Sequence, residues 1–209
     1  WNTGDTTSQI VVNIADTFFI EVTNDNNCIG RDTIIIDTNG IAPTVNFTAQ
    51  NFCSNSPTSF INTSITSDGS NIISEKWFFG DGDSTSIQNP SHQYLTSTTY
   101  NLSIVITTDS GCVNTLDSII EIHKPPTTGF FVSSNPICSG DLTNFTDNSF
   151  STDGTVNTWL WNFGDTGTVD TSSLQHPSYE FPITNIYNVQ LITTTQHGCS
   201  DTATNSITV

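Results

Sequence analysis

The sequence predicts an all-β chain organised as tandem immunoglobulin-like β-sandwiches, and three observations carry that prediction. Val, Ile, Thr and Phe alternate with Ser, Asn and Asp over short runs, with no Met and few strong helix formers, the composition of half-buried strands. A distinctive phrase repeats: Trp77-Phe-Phe-Gly-Asp81 returns 84 residues later as Trp161-Asn-Phe-Gly-Asp165. Around it, about seven short strand patterns fit into each ~85 residues, with a Trp on a central one.

The chain opens in a shortened copy of the phrase, Trp1-Asn-Thr-Gly-Asp5, so residues 1–42 read as the second half of a repeat. From Trp1 only later strands are present, and the bare face is expected to be covered by upstream sequence or by a neighbouring molecule. Residues 43–123 form the next unit: "PTVNFT", "TSFINTS", the Asp68-Gly69 turn, "EKWFF", an acidic turn, "HQY", "YNLSIVITT" and "DSIIEI". Residues 124–209 repeat it. Asp68-Gly69 corresponds to Asp153-Gly154, Pro90-Ser-His92-Gln-Tyr94 to Pro177-Ser-Tyr179-Glu-Phe181, Tyr100 to Tyr187 and Gly111-Cys112 to Gly198-Cys199. The offset drifts from 84 to 87 only inside Gly/Asp/Ser-rich stretches, where loop insertions belong. Period-2 alternation points Trp77, Phe79, Trp159, Trp161 and Phe163 inward and Lys76, Phe78, Leu160 and Asn162 outward. Gly80-Asp81-Gly82 is then the tight turn ending a core strand, with Gly supplying positive φ and Asp bonding nearby backbone amides.

Charge excludes some function classes. Twenty acidic residues against three basic ones give a net charge of −17, which disfavours nucleic acid and anionic membrane surfaces. No apolar run approaches the ~20 residues of a membrane span. The five Cys form no C-x-x-C pair, which favours disulfides in an extracellular setting over zinc sites.

W-x-F-G-D-G, then P-x-H-x-Y, then a Tyr-led alternating strand ending in Gly-Cys, resembles the PKD (polycystic kidney disease) domain. The opening segment resembles part of a related bacterial immunoglobulin-like repeat. The Gly-Cys ending and the Thr/Asn/Asp-rich composition are similar to tandem repeats in surface proteins of Bacteroidota, among them gliding-associated adhesins exported by type IX secretion. That resemblance implies tandem PKD-type sandwiches in an extracellular or cell-surface protein. The third unit departs from the motif, reading Gly-Asp-Thr-Gly and placing Tyr179 where the second has His92.

Candidate chemistry is sparse. The four His (His92, His123, His176, His197) accompany no G-x-S-x-G elbow, H-E-x-x-H or phosphate loop, so no catalytic residues are assigned. Asp81 and Asp83 in one turn, with Asp68 in another, offer hard oxygen ligands and make calcium the cofactor to consider. Asn46, Asn62, Asn101 and Asn144 lie in N-x-[ST]. The Bacteroidota resemblance adds Asp-[Ser/Thr]-apolar as an O-glycosylation motif, which places candidates at Thr33, Ser118 and Thr202.

The cysteines admit two pairings. Bridges within units would join Cys53 to Cys112 and Cys138 to Cys199, leaving Cys28 to an upstream partner. However, Cys53 sits at the end of its sandwich remote from the entry, and Cys112 at the entry end. One strand length separates those ends, ~17–20 Å, while bridged Cα atoms sit within about 7 Å. An inter-domain Cys53–Cys199 staple avoids the conflict, with Cys28 and Cys112 bonded upstream and Cys138 downstream. The functional expectation is a non-catalytic, semi-rigid segment of a repeat protein, an adhesin stalk or filament. Its partners would be neighbouring repeats and a surface polysaccharide or protein ligand. The alternative is an accessory carbohydrate-binding module of a secreted hydrolase.

Overall fold

The computed structural model describes residues 1–12, 15–36, 40–165 and 170–209; Thr166, the counterpart of Gly82, lies outside them. Strands β1 (Asp16–Thr23) and β2 (Ile29–Ile36) form a two-stranded antiparallel sheet. Asn2 ties the opening segment to β1, its N–H donating to the Phe19 carbonyl at 3.0 Å and its side-chain amide to the Thr17 carbonyl. Phe18 is buried, while Phe19, Val22, Ile34 and Ile35 are exposed. Among the described residues the first 36 therefore form a hairpin and not a closed sandwich.

Beyond the hairpin stand two seven-stranded sandwiches. The first contains β3 (Phe47–Gln50), β4 (Pro57–Asn62), β5 (Ile72–Phe78), β6 (Ser84–Thr85), β7 (Ser91–Gln93), β8 (Thr99–Thr108) and β9 (Val113–Glu121). Its sheets run β3-β4-β7 and β6-β5-β8-β9. The second contains β10 (Phe130–Val132), β11 (Leu142–Asp147), β12 (Val156–Asn162), β13 (Thr171–Ser172), β14 (Ser178–Glu180), β15 (Ile186–Thr195) and β16 (Ser200–Thr208), in sheets β10-β11-β14 and β13-β12-β15-β16. Even the irregularity repeats: register shifts between Ile72 and Ser74 in β5, and between Val156 and Thr158 in β12.

Alternation builds the cores. In the first sandwich Phe60, Trp77, Phe79, Tyr94, Leu102, Ile104, Ile106, Ile120 and Ile122 pack together. Phe145, Trp161, Phe163, Phe181, Val189, Leu191, Ile207 and Val209 take the corresponding places in the second. Trp77 and Trp161 are wholly enclosed, whereas Phe78 and Leu160 point outward. Phe47 meets Trp77 edge-on at 5.5 Å, as Phe130 meets Trp161 at 5.0 Å, a geometry that adds to plain area burial. At one core position an apolar residue gives way to a polar one: buried Thr193 stands where the first unit has Ile106, and its hydroxyl bonds Thr128 at 2.6 Å. No helix of the described residues is long and apolar enough to cross a membrane.

Candidate functional site

The acidic turn after β5 is built around a glycine. Gly80 has φ +86°, and a Cβ there would lie 2.6 Å from the Asn101 carbonyl oxygen. Asp81 then closes the turn, accepting the Asp83 N–H at 3.1 Å, and its other oxygen meets His92 Nε2 at 2.6 Å. An ionised carboxylate only accepts, so Nε2 carries the proton. The His92 ring lies flat on Phe79, centroids 4.0 Å apart, and the Tyr94 hydroxyl donates to the Phe79 carbonyl. Desolvation works to raise the Asp81 carboxyl, but the bonds from His92 and Asp83 outweigh it and hold it below the usual carboxylate range. Burial pushes the Tyr94 phenol up. In the second sandwich Tyr179 does the work of His92: it stacks on Phe163 at 4.2 Å and donates to Asp165 at 3.1 Å. The His-to-Tyr exchange thus preserves a ring on a core Phe and a bond to the turn Asp, which identifies His92 as a structural ring.

The expected trio Asp68, Asp81 and Asp83 is not assembled. Asp68 lies before β5 and the other two lie after it, so the length of that strand separates them. His92 stands with Asp81 and Asp83 instead, and a set with one ring nitrogen departs from the six to eight oxygens calcium takes. Asp68 has another task. It accepts the Ser70 hydroxyl and amide and the Ile41 N–H, and these bonds, the Ser70 hydroxyl foremost, lower its carboxyl to about 2.

A second constellation is the joint between the sandwiches. Cys53 is bonded to Cys199, with Cα atoms 5.6 Å apart and 146 residues of separation. Cys112 lies in the β8–β9 turn beside Thr108 at the entry end, with β9 separating it from the exit. The within-unit bridges Cys53–Cys112 and Cys138–Cys199 are thus not formed. Cys28 and Cys138 are exposed. Beside the bridge, His123 adds a parallel pairing to Cys53: its N–H donates to Phe52 at 2.7 Å and its carbonyl accepts from Ser54 at 2.8 Å. The backbone of His123 therefore belongs to the first sandwich.

The second sandwich clamps the linker beyond His123. Lys124 N–H donates to Asp153 at 2.8 Å and Thr128 N–H to Asp201 at 2.9 Å. The bond from Lys124, foremost, holds the Asp153 carboxyl below its ordinary value. The His123 ring stacks on His197, centroids 3.6 Å apart, and its Nδ1 lies 3.4 Å from Asp153. Sequence reasoning considers these histidines only for catalysis and misses the cluster. The available signal is their position, one directly before Lys-Pro-Pro and the other directly before Gly-Cys.

The glycosylation candidates fall on strands. Thr33 and Thr202 are exposed and Ser118 is half-buried, opposite Phe19, Ile192 and Leu102 respectively. Asp201, which precedes Thr202, is committed to the joint.

Fold and joint define a tandem immunoglobulin-like β-sandwich protein whose consecutive units are covalently tied. A family model described as the PKD domain matches residues 41–122 and again 123–209; the chain belongs to the PKD domain family. A PKD domain of Epp from Vibrio anguillarum is similar at 28% identity, over 41% of this chain and 99% of that one, with a TM-score of 0.39. A PKD domain of the Vibrio cholerae metalloprotease PrtV is 28% identical over 39% of this chain and 98% of that one, with a TM-score of 0.37. Fibronectin(III)-like modules of Clostridium thermocellum CbhA are similar over 78% of this chain and 93% of theirs, at 10% identity and a TM-score of 0.46.

Proposed function

We propose that the chain is a load-bearing, non-catalytic segment of an extracellular repeat protein, a stalk or filament that holds an adhesive part away from a bacterial surface. The observation that carries this reading is the position of the Cys53–Cys199 bridge. Tension entering through β16 reaches Cys199, crosses to Cys53 and leaves through β3. The chain between the two cysteines, including both core tryptophans, lies off that path. Only β3 of the first sandwich and β16 of the second lie outside the covalent loop, so these repeats lengthen little even when their cores open. A disulfide also suits an oxidising, extracellular setting, and 17 surplus negative charges favour solubility over non-specific association. The type IX-exported surface proteins of Bacteroidota, with O-glycans at Thr33, Ser118 and Thr202, are the context we propose. An exposed row of aromatics, which a carbohydrate-binding module would need, is not favoured here, since Trp77 and Trp161 lie in the cores.

Stretching single molecules tethered at residues 1 and 209 tests the load path. The 146-residue span corresponds to about 500 Å of contour at 3.3–3.6 Å per residue. Oxidised molecules are expected to extend about 500 Å less than reduced ones. Equal extensions would remove the mechanical reading.

A further inference from the structure

We propose that His123, Asp153 and His197 form a binding site for a divalent transition cation of the zinc class, seated on the joint as a second tie beside the disulfide. Each residue offers one ligand atom, and the three atoms lie within 4.8 Å of one another. Two imidazole nitrogens and one carboxylate oxygen suit zinc, with the fourth tetrahedral position left to water. Ligand atoms about 2.0–2.1 Å from a tetrahedral ion sit roughly 3.3 Å apart. His123 Nδ1 and Asp153 already stand 3.4 Å apart, so closing the site requires that the exposed His197 ring tilt off its stack and that its Nε2 exchange the 3.1 Å contact with the Gln196 amide for the ion. Gly154 keeps room for that ring, since a Cβ there would come within 3.0 Å of it.

The ligands come from both sides of the joint. His123 is hydrogen-bonded into the first sandwich through Phe52 and Ser54. Asp153 and His197 belong to the β11–β12 and β15–β16 connections of the second. A bound ion would therefore resist separation of the two units, as the disulfide does.

The corresponding entry to the first sandwich supplies an internal control. There Asp68 accepts the Ile41 N–H as Asp153 accepts that of Lys124. The positions of His123 and His197 are filled by Gly40 and Ser110, which lie against each other: a Cβ on Gly40 would be 2.7 Å from that of Ser110. The carboxylate clamp thus recurs without imidazoles. Holding the linker does not require the histidines, and their joint presence at one entry only is what the cation site explains. The Asp81, Asp83 and His92 group differs, because His92 is committed to Asp81 and stacked on Phe79, a role Tyr179 fills in the sister unit.

The test is calorimetric titration of zinc chloride into the full chain, with accessible thiols alkylated and adventitious metal removed. The result expected is one ion per chain, with affinity falling at least about tenfold in His197→Ser, a substitution that copies the first entry. Melting temperatures in chelator should match between wild type and variant, showing that the joint itself is intact. As a measurement independent of the variant, imidazole ¹⁵N resonances of His123 and His197 should shift on zinc addition while that of His92 stays. Absence of binding, undiminished binding by His197→Ser, displacement of zinc by equimolar calcium, or zinc-induced shifts confined to His92 would each overturn the proposal.

Discussion

At the scale of single residues, Gly80 and Trp161 show what the repeated phrase is for. Gly80 combines φ +86° with a backbone approach that leaves no space for a Cβ, while Gly82 has φ +104° but open space around it. Gly80→Ala is therefore expected to destabilise its sandwich by about 3 kcal/mol, strain and overpacking together, and Gly82→Ala by only about 1–2 kcal/mol from strain. Denaturant melts of the two variants check this, and equal losses would mean that the close approach to Asn101 carries no energy. The tryptophans separate in the same way. Trp161 Nε1 donates to the Leu174 carbonyl at 2.9 Å, whereas Trp77 Nε1 is buried without a partner among the described residues. Both Trp→Phe changes lose similar packing, but only Trp161→Phe abandons a hydrogen bond. It should cost about 1 kcal/mol more than Trp77→Phe, and a reversed order in the same melts would show that the bond contributes nothing.

At the scale of elements, the strands were legible because their period of two is written in side chains that must choose between core and water. Trp77, Phe79 and Phe78 alternate in the sequence and alternate in burial. The short edge strands β6 and β13 were not legible, since Ser84–Thr85 and Thr171–Ser172 contribute no apolar face of their own. The separation of Asp68 from Asp81 and Asp83 was not legible for a related reason. The sequence places Asp68 in one turn and Asp81 and Asp83 in another, and the extended strand between those turns carries its ends apart at ~3.3 Å per residue. Asp68 instead pins the connection into the first sandwich, and that role has a pH signature. Its folded carboxyl titrates at about 2, well below the 3.8 of an unperturbed aspartate. The stabilisation is thus fully present above pH ~4 and is lost as pH falls from there towards 2. Asp68→Asn should lack that part of the acid dependence in melts between pH 5 and 2. An unchanged pH profile in the variant would show that the clamp does not couple to folding.

At the scale of the whole molecule, a joint organised around one disulfide turns two domains into one covalent body. Closing a 146-residue separation corresponds to about 5 kcal/mol in the chain-entropy model. It also places the bridge between the sandwiches, outside the two aromatic core clusters. The bridge was inferable from sequence only through topology: Cys53 comes after the first strand of its unit and Cys112 precedes the last, so the sandwich itself keeps them at opposite ends. The histidines at the same joint were legible only as positions beside Lys-Pro-Pro and Gly-Cys, because their contact depends on how the linker from Ile122 to Thr128 is seated between two domains. Non-reducing peptide mapping of the native protein tests the covalent joint most directly. The account predicts a peptide containing Cys53 disulfide-linked to one containing Cys199. A Cys53–Cys112 linkage, or alkylation of both Cys53 and Cys199 as thiols in the native protein, would contradict it.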